Sequence, residues 1–486
     1  MTTCPPGSGV LSSVLRCALH CEKVPFTVSM AALNEVFGRL RWPSILGGND
    51  AKIGADGFSY WAAEPIEIVE IGSDQPDPVG QVQQALDRYR LDEGSRTDLP
   101  EGMFCGGWIG FFSYDLGRFI EPTAAGKAID DLHMPLVRLA FYDRVLAYDH
   151  CRQTVWLIAL QLPTDFEGPR EKLDCLQRLL DQADDIQVGS PCPADIEHVD
   201  LAEVRCNMTK ARYLAAIARI HRHIVDGDVY QVNFSQRFAC RFTARPIDLF
   251  HWQNTFNPSP YAAYIEAPPF SIVSASPEMF LAVANRTIQT KPIKGTRPRV
   301  AETSEQARQT NEQAYRELAA SEKDQAELAM IIDLERNDLA RVCIPGTRRV
   351  LMPRTLETCP SVFHAVAVVG GRLRPDVGFC DVLRATFPGG SITGAPKIRA
   401  MEIIDATEPS ARGLYTGSIG FVGVDGTARL NIAIRTIIIA GQTAYVQAGG
   451  GIVADSDPQA EYEETLTKAR ALIAGTQGVQ RTVWSA

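Results

Sequence analysis

The sequence has no apolar run of the roughly 20 residues needed to cross a bilayer, and so offers no membrane-spanning helix. It has no basic excess either: 48 Lys and Arg stand against 58 Asp and Glu, a formal net charge of −10. A nucleic-acid partner normally requires a basic stripe, so that class is excluded, as is attachment to an anionic membrane surface. Internal repeats and low-complexity tracts are missing. The 12 cysteines are scattered without a CxxC pair, Cys17 and Cys21 being the closest. That spacing argues against a zinc site or a disulfide framework and fits free thiols in a reducing cytosol. Met1 to Met30 has no basic leader and no small-residue cleavage pattern, and Arg16 breaks its apolar piece from Val10 to Leu19. It reads as a loose extension over residues 1–30, and the chain as cytoplasmic.

What is present is the composition of an ordinary globular protein, 45% hydrophobic and 22% charged. A chain of 486 residues exceeds a single core of usual size and suits one elaborated enzyme domain or two intimate ones. Short apolar runs between Phe37 and Val79 predict antiparallel strands. Apolar positions 82, 85 and 89 predict a helix from Gln81 to Leu91. The glycines of Gly106 to Asp115 suggest a strand with close backbone approach. Pro135–Asp149 and Thr154–Leu162 predict a hairpin, and Arg170–Ala183 a helix. This half, residues 31–190, reads as scaffold.

Asp184 to Asp200, rich in Gly, Ser and Pro, is the candidate linker to a second domain over residues 201–478. Thr209 suits the N-cap of a helix with apolar positions 214, 217, 220 and 224, closed by Gly227. A strand pattern follows from Val229 to Phe238. Later strands are expected at 421–424, 428–439 and 444–448, with a last helix from Glu461 to Ile473. Strands dominate and helices are inserted between them, which predicts an α+β architecture.

One stretch organises this second half: Gln289-Thr290-Lys291-Pro292-Ile293-Lys294-Gly295-Thr296-Arg297-Pro298-Arg299. Strand-like residues precede it, and Glu302 to Leu339 after it reads as one long polar-faced helix. Two prolines stiffen the turn, Gly295 removes a side chain beside Lys294, and Arg297 and Arg299 are expected to place positive charge near that amine, favouring its neutral form. Gly389 to Pro396 forms a glycine-rich turn into a helix, a place where free amides attract anions. Ala395 stands where a nucleotide P-loop needs lysine.

Ser274-Ala275-Ser276-Pro277-Glu278, then Pro292 to Arg299, then Gly389-Gly390-Ser391-Ile392-Thr393-Gly394-Ala395-Pro396-Lys397 resemble, in that order, the chorismate-utilising enzymes, over roughly residues 205–475. The fold this implies is two facing antiparallel sheets with helices outside and the site in a cleft between them. The first half is then similar to the N-terminal part of anthranilate synthase component I. Lysine at 294 looks like the branch that aminates chorismate at C4, the aminodeoxychorismate synthase large subunits; anthranilate synthases usually carry alanine there. Isochorismate and salicylate synthases typically place a base lysine where this chain has Gln231, and glutamine is no general base.

The resemblance implies roles residue by residue. Lys294 would be a covalent nucleophile at C2, Glu278 the general acid, and His364 a group near the substrate ring, although Ala367 replaces the serine that commonly follows that histidine. Taken alone, His364 shares a strand face with Val362 and Val366. Glu327 and Glu464 match ligands of Mg2+, with Glu461 as an outer or additional ligand; Glu461, Glu464 and Lys468 share one helical face by their spacing. Thr296, Thr393, Tyr415, Arg435, Gly449, Gly450, Gly451 and Lys468 match the substrate-holding set, Arg435 being suited to grip a carboxylate bidentately. A proton donor must be loaded when needed, so Glu278 is expected to be partly desolvated. No cysteine lies in a GxCxG elbow, so ammonia is expected from a separate glutamine amidotransferase subunit. Trp42 to Gly48 lacks the serine of the tryptophan-binding pattern found in some relatives, and tryptophan regulation is not expected.

Overall fold

Short runs rich in apolar, β-branched and aromatic residues, several of them buried on both faces, set much of the chain in strands, which assemble into two facing sheets with helices packed outside. The architecture is α+β, as the order of elements predicts. The computed structural model describes residues 14–49, 57–95, 99–122, 128–193, 199, 203–360 and 362–484, the last four as backbone only. Residues 1–13, most of the expected linker beyond residue 193, and Ser361 lie outside the described residues.

Among the described residues the first sheet has 13 strands and the second 10. Both draw on both halves of the chain. In the first, Ser44–Leu46 pairs with Tyr261–Ala267; in the second, Gly107–Phe112 pairs with Ser418–Gly423. The pairing is antiparallel except where Leu15, Arg16 and Cys17 run parallel to Tyr89, Arg90 and Leu91. Between the sheets lies an aromatic-rich core. Tyr60 and Trp156 of the first sheet share it with Trp108, Phe141 and Phe421 of the second, and the Tyr60 and Phe421 rings meet edge-on at 5.4 Å. Burying each such side chain contributes about 1.5–3 kcal/mol.

Several elements depart from the sequence reading. The expected loose extension contains a strand, Leu15–Pro25, paired with Thr154–Gln161 over eight residues. Arg16 breaks an apolar run only in a helix; with the period of two it points outward while Cys17 and Leu19 turn inward. A helix, Met30–Gly38, begins at Ser29, whose hydroxyl accepts from Ala32 N at 3.1 Å. Pro135–Asp149 is two strands in different sheets, Val137–Tyr142 and Arg144–Asp149, and Asp143 at the crossing is tied to buried Lys172 at 2.6 Å. The single helix expected after the lysine motif is two, Glu305–Ala320 and Glu322–Ala340. Ser321 ends the first and caps the second by accepting from Asp324 N at 3.2 Å.

Candidate active site

The lysine motif is itself a strand, Ile293–Pro298, on the edge of the second sheet. It pairs with Val362–Arg372, and the register slips between Ile293 and Thr296. Gly295 makes the slip possible. Its φ is +89°, and a Cβ there would come within 2.8 Å of both Asp324 Cγ and Leu318 Cδ1. Lys294 Nζ donates to the Ser391 carbonyl at 2.9 Å. The arginines expected beside the amine are engaged elsewhere: Arg297 with Asp324 at 3.0 Å and Arg299 with Glu302 at 2.8 Å.

Glu278 directly precedes the strand Met279–Ala284 and is 5% exposed. The Ser391 hydroxyl donates to its Oε1 at 2.6 Å. Burial pushes the Glu278 carboxyl above the ordinary range, against the Ser391 hydrogen bond and the Lys294 charge, which pull it down. Glu278 is thus desolvated, as a proton donor requires. Sequence spacing puts Glu278 and Lys294 on neighbouring strands, but two strands, Thr287–Lys291 and Val362–Arg372, separate them in the sheet. They are brought together by one residue of a third segment. Ser391, on the Gly390–Ile392 turn, offers its carbonyl to the amine and its hydroxyl to the acid.

Tight packing holds that turn. A Cβ on Gly390 would lie 2.5 Å from Leu334 Cδ2 of the Glu322–Ala340 helix. Arg412 donates to the Ile392 carbonyl at 3.2 Å, to the Asn233 carbonyl at 2.7 Å and to Glu408 Oε1 at 2.7 Å. Both members of the Arg412–Glu408 pair are buried. Thr393 is fully buried, its hydroxyl given to the Gly389 carbonyl at 2.9 Å.

The three carboxylates expected to hold a metal come from two helices. Glu327 is on Glu322–Ala340; Glu461 and Glu464 are on Pro458–Trp484, over the strand Thr443–Ile452. A Cβ on Gly450 would fall 2.9 Å from Glu461 Oε2 and 3.8 Å from Glu464 Oε1, so the missing side chain leaves room for both. Burial raises Glu327, opposed by Lys294 and Lys323 and reinforced by Asp324 and Glu461. Burial also raises Glu461, opposed by the Ser456 hydroxyl and reinforced by Glu464. Glu464 is tied to Lys468 at 2.6 Å, and Lys468 also donates to the Gly449 carbonyl at 3.0 Å. Like charges that hold one another's protons are relieved by a hard cation, so the donor chemistry suits Mg2+. Among the described residues no group of three His, Cys, Asp or Glu is already gathered as a metal cage.

The remaining predicted residues have contacts of their own. Gly449, Gly450 and Gly451 lie inside the ladder opposite Ser235, Phe234 and Asn233, not in a turn at its end. Gly451 leaves space for Gln231, whose Nε2 would be 2.1 Å from a Cβ there. The Gln231 Oε1 is buried without a hydrogen-bond partner among the described residues. His364 is buried, and its Nδ1 meets the Thr296 hydroxyl at 2.8 Å. Burial, then Arg435 and Lys291, pull the imidazole down to about 4. Its ring is therefore expected to stay neutral from alkaline pH down to about pH 5. Nitrogen-15 chemical shifts of the ring that titrate near the free-histidine value would contradict this. Since the unfolded ring takes up its proton first, His364 costs stability progressively as pH falls below the unperturbed value. Arg435 has φ +50°, and its carbonyl accepts from Ala275 N at 3.0 Å. Tyr415 is buried 5.6 Å from the Arg412 guanidinium. A cavity of about 500 Å³ lies between the sheets, bounded by Gly47, Tyr60, Pro258, Met279, His364 and Phe421.

Residues 51–474 match the family described as chorismate binding enzyme, and the chain belongs to that family. It is 38% identical over 425 residues to anthranilate synthase component 1 1 of Haloarcula marismortui, covering 86% of this chain and 85% of that protein. It is 38% identical over 382 residues to aminodeoxychorismate synthase component 1 of Bacillus subtilis, covering 79% of each chain. The Escherichia coli protein of the latter name is 36% identical over 447 residues, covering 89% of this chain and 93% of its own. Among solved structures, anthranilate synthase component I of Streptococcus pneumoniae superposes with a TM-score of 0.73 at 29% identity, over 86% of this chain and 92% of that one.

Sequence reasoning named Lys294 and Glu278 but assigned no role to Ser391, Arg412 or Glu408. Ser391 stands inside the glycine-rich turn Gly389 to Pro396. No local spacing indicates that its two oxygens face groups 97 and 113 residues away.

Proposed function

We propose that the chain is the large subunit of an aminodeoxychorismate synthase, converting chorismate and ammonia to 4-amino-4-deoxychorismate for para-aminobenzoate and folate synthesis. The observation that carries this reading is the shared contact of Lys294 and Glu278 on Ser391, an amine and a desolvated acid held over one turn. Lys294, in its neutral form, adds through Nζ at C2 while the C4–O bond breaks and the Glu278 proton goes to the departing hydroxyl, which leaves as water. Ammonia then adds at C4, the C2–N bond to Lys294 breaks, and the proton released by the ammonia nitrogen returns to Glu278. Dividing one substitution into two is the usual gain of a covalent nucleophile. Thr296, Arg435, Tyr415 and Lys468 are assigned to substrate binding, and neutral His364 to the ring.

Glu327, Glu461 and Glu464 would hold Mg2+, which supplies a counter-charge to the substrate's ring carboxylate. Relatives named component 1 support a second subunit, taken here as a glutamine amidotransferase that delivers ammonia in the cytoplasm. Magnesium chloride is expected to raise the melting temperature of the wild-type chain in the presence of chorismate but not of Glu464→Ala; equal shifts in both would remove Glu464 from the metal site.

The similarity to anthranilate synthases, equal in identity to that with aminodeoxychorismate synthases, favours a second reading in which amination falls on C2 and anthranilate is released. Incubation with chorismate, magnesium and ammonium, with the product identified by mass, separates the two. Aminodeoxychorismate is expected; anthranilate would overturn the proposal.

A further inference from the structure

The helix Glu322–Ala340, which carries Glu327 in its first turns, leads at its other end into a cleft of about 280 Å³. Arg341 and Val342, just past that helix, line it together with Arg384 and Ala385 of the helix Phe379–Thr386. Arg374, Asp376 and Val377 of the segment before the second helix, and Asp381 on it, complete the lining. Three guanidinium groups thus surround one space on a chain whose net charge is −10.

Each of these arginines has an acid nearby and is not closed onto it. Arg341 Nη1 stands 3.7 Å from Glu121 Oε1, Arg374 Nε 3.4 Å from Asp376 Oδ1 and Arg384 Nη1 3.7 Å from Asp381 Oδ1, all beyond the roughly 2.7–3.2 Å of an N–H···O bond. Exposed arginines on neighbouring turns do close: Arg336 reaches Asp333 at 3.0 Å and Arg316 reaches Glu312 at 2.9 Å. Asp381 is engaged in another way, since its Oδ2 accepts from Gly378 N at 2.9 Å at the start of its own helix. Among the described residues the forks of Arg341 and Arg384 therefore donate to no protein group at hydrogen-bond distance. The backbone that carries them is fixed. Arg374 N donates to the Val342 carbonyl at 3.0 Å and Arg374 Nη1 to the Arg341 carbonyl at 2.7 Å, while Arg286 Nη2 donates to the carbonyls of Arg374 and Val377. The aliphatic part of the lining, Val342, Val377 and Ala385, is buried.

The kind of cation decides the ligand. A guanidinium presents its N–H groups as a planar fork that meets two oxygens at once, and three forks offer more donors than one carboxylate can accept. A phosphate group brings three acceptor oxygens and close to two negative charges. We propose that this cleft binds a small phosphate-bearing molecule, with Arg341, Arg374 and Arg384 on the phosphate and Val342, Val377 and Ala385 against the group attached to it. Asp376 and Asp381 in the same lining repel a long polyanion and favour a ligand with a single phosphate. The cleft is separate from the centre at Ser391, and its two walls are supports of that centre. The first helix packs Leu334 against Gly390, and the second runs on toward the Gly390–Ile392 turn. A ligand held between Arg341 and Arg384 ties those two supports to each other.

The test uses the full chain and isothermal titration calorimetry at physiological salt with two probes, inorganic phosphate and phenyl phosphate. Both are expected to bind at one site, phenyl phosphate the more tightly because the aliphatic side chains cover its ring. Arg341→Gln and Arg384→Gln are each expected to weaken binding about tenfold. Both side chains are about half exposed, so circular dichroism and the melting temperature should remain those of the wild type. Arg316→Gln, on another helix, and Arg435→Gln, in the substrate-holding set, should leave binding unchanged. Absence of saturable binding overturns the proposal, and so does equal affinity for the two probes, which would report an adventitious ion only. Loss of binding in Arg435→Gln with Arg384→Gln unaffected would put the phosphate in the substrate site and overturn it equally. Turnover of chorismate is read in no arm, so a failure of the proposed reaction leaves this result intact.

Discussion

Replacing Lys294 by alanine is expected to lower formation of 4-amino-4-deoxychorismate on the order of 10³-fold, about 4 kcal/mol of transition-state stabilisation, or to redirect amination away from C4. The folded state should hardly change. Lys294 is only part-buried, and its side-chain hydrogen bond goes to a carbonyl, so its loss opens no apolar cavity, and the buried Glu278 and Glu327, deprived of that opposing charge, hold their protons more firmly. Circular dichroism and the melting temperature should therefore match the wild type while product, resolved by mass, disappears. Glu278→Gln complements the test, since it removes the proton but keeps an acceptor for Ser391. If Lys294→Ala still makes aminodeoxychorismate at the wild-type rate, the lysine takes no covalent part and ammonia attacks C4 directly.

The second large effect is on stability. Arg412→Met is expected to destabilise the chain by about 3–5 kcal/mol, because Glu408 is left charged, buried and without its partner. In a chain of this length that corresponds to a fall of about 3–5 °C in melting temperature. Arg412 and Glu408 are both almost completely buried, and the Glu408 Oε1 also accepts from the Ser235 amide at 2.9 Å and hydroxyl at 2.7 Å. The double variant Arg412→Met with Glu408→Gln should recover part of the loss, since no unpaired charge remains. Activity should fall in both, because the carbonyls of Ile392 and Asn233 lose the donor that fixes the Ser391 turn. A single variant as stable as the wild type would mean that water reaches the pair.

Which parts of this were readable in advance follows from how far each interaction reaches along the chain. Local periodicity located the helices Pro169–Asp184 and Lys210–Val225, the latter with Thr209 as its cap, accepting from Arg212 N at 3.3 Å. It failed at Leu15–Pro25, where a short alternation beside a charged residue resembles a broken apolar run. It also missed Ser321, where one residue divides a long polar stretch into two helices. In the site, motif residues were recognisable because their chemistry is concentrated in short segments. The groups that join them were not. Ser391 links residues more than ninety positions apart, and the buried Glu335 is one acid among several on a stretch that the sequence reads as one long polar-faced helix. Arg297 and Arg299 illustrate the opposite error: proximity in sequence suggested proximity to the amine, and the strand directs both toward other partners.

The interleaving of the two sheets also fixes the order in which this molecule can be completed. During synthesis Gly107–Phe112 emerges long before Ser418–Gly423, and Ser44–Leu46 long before Tyr261–Ala267. Until those late strands arrive, the early ones have open edges and an uncovered aromatic face, so closure is slow and waits for the end of translation. Neither half expressed alone would hide its own sticky borders, and the two fragments should be soluble only when they are made together.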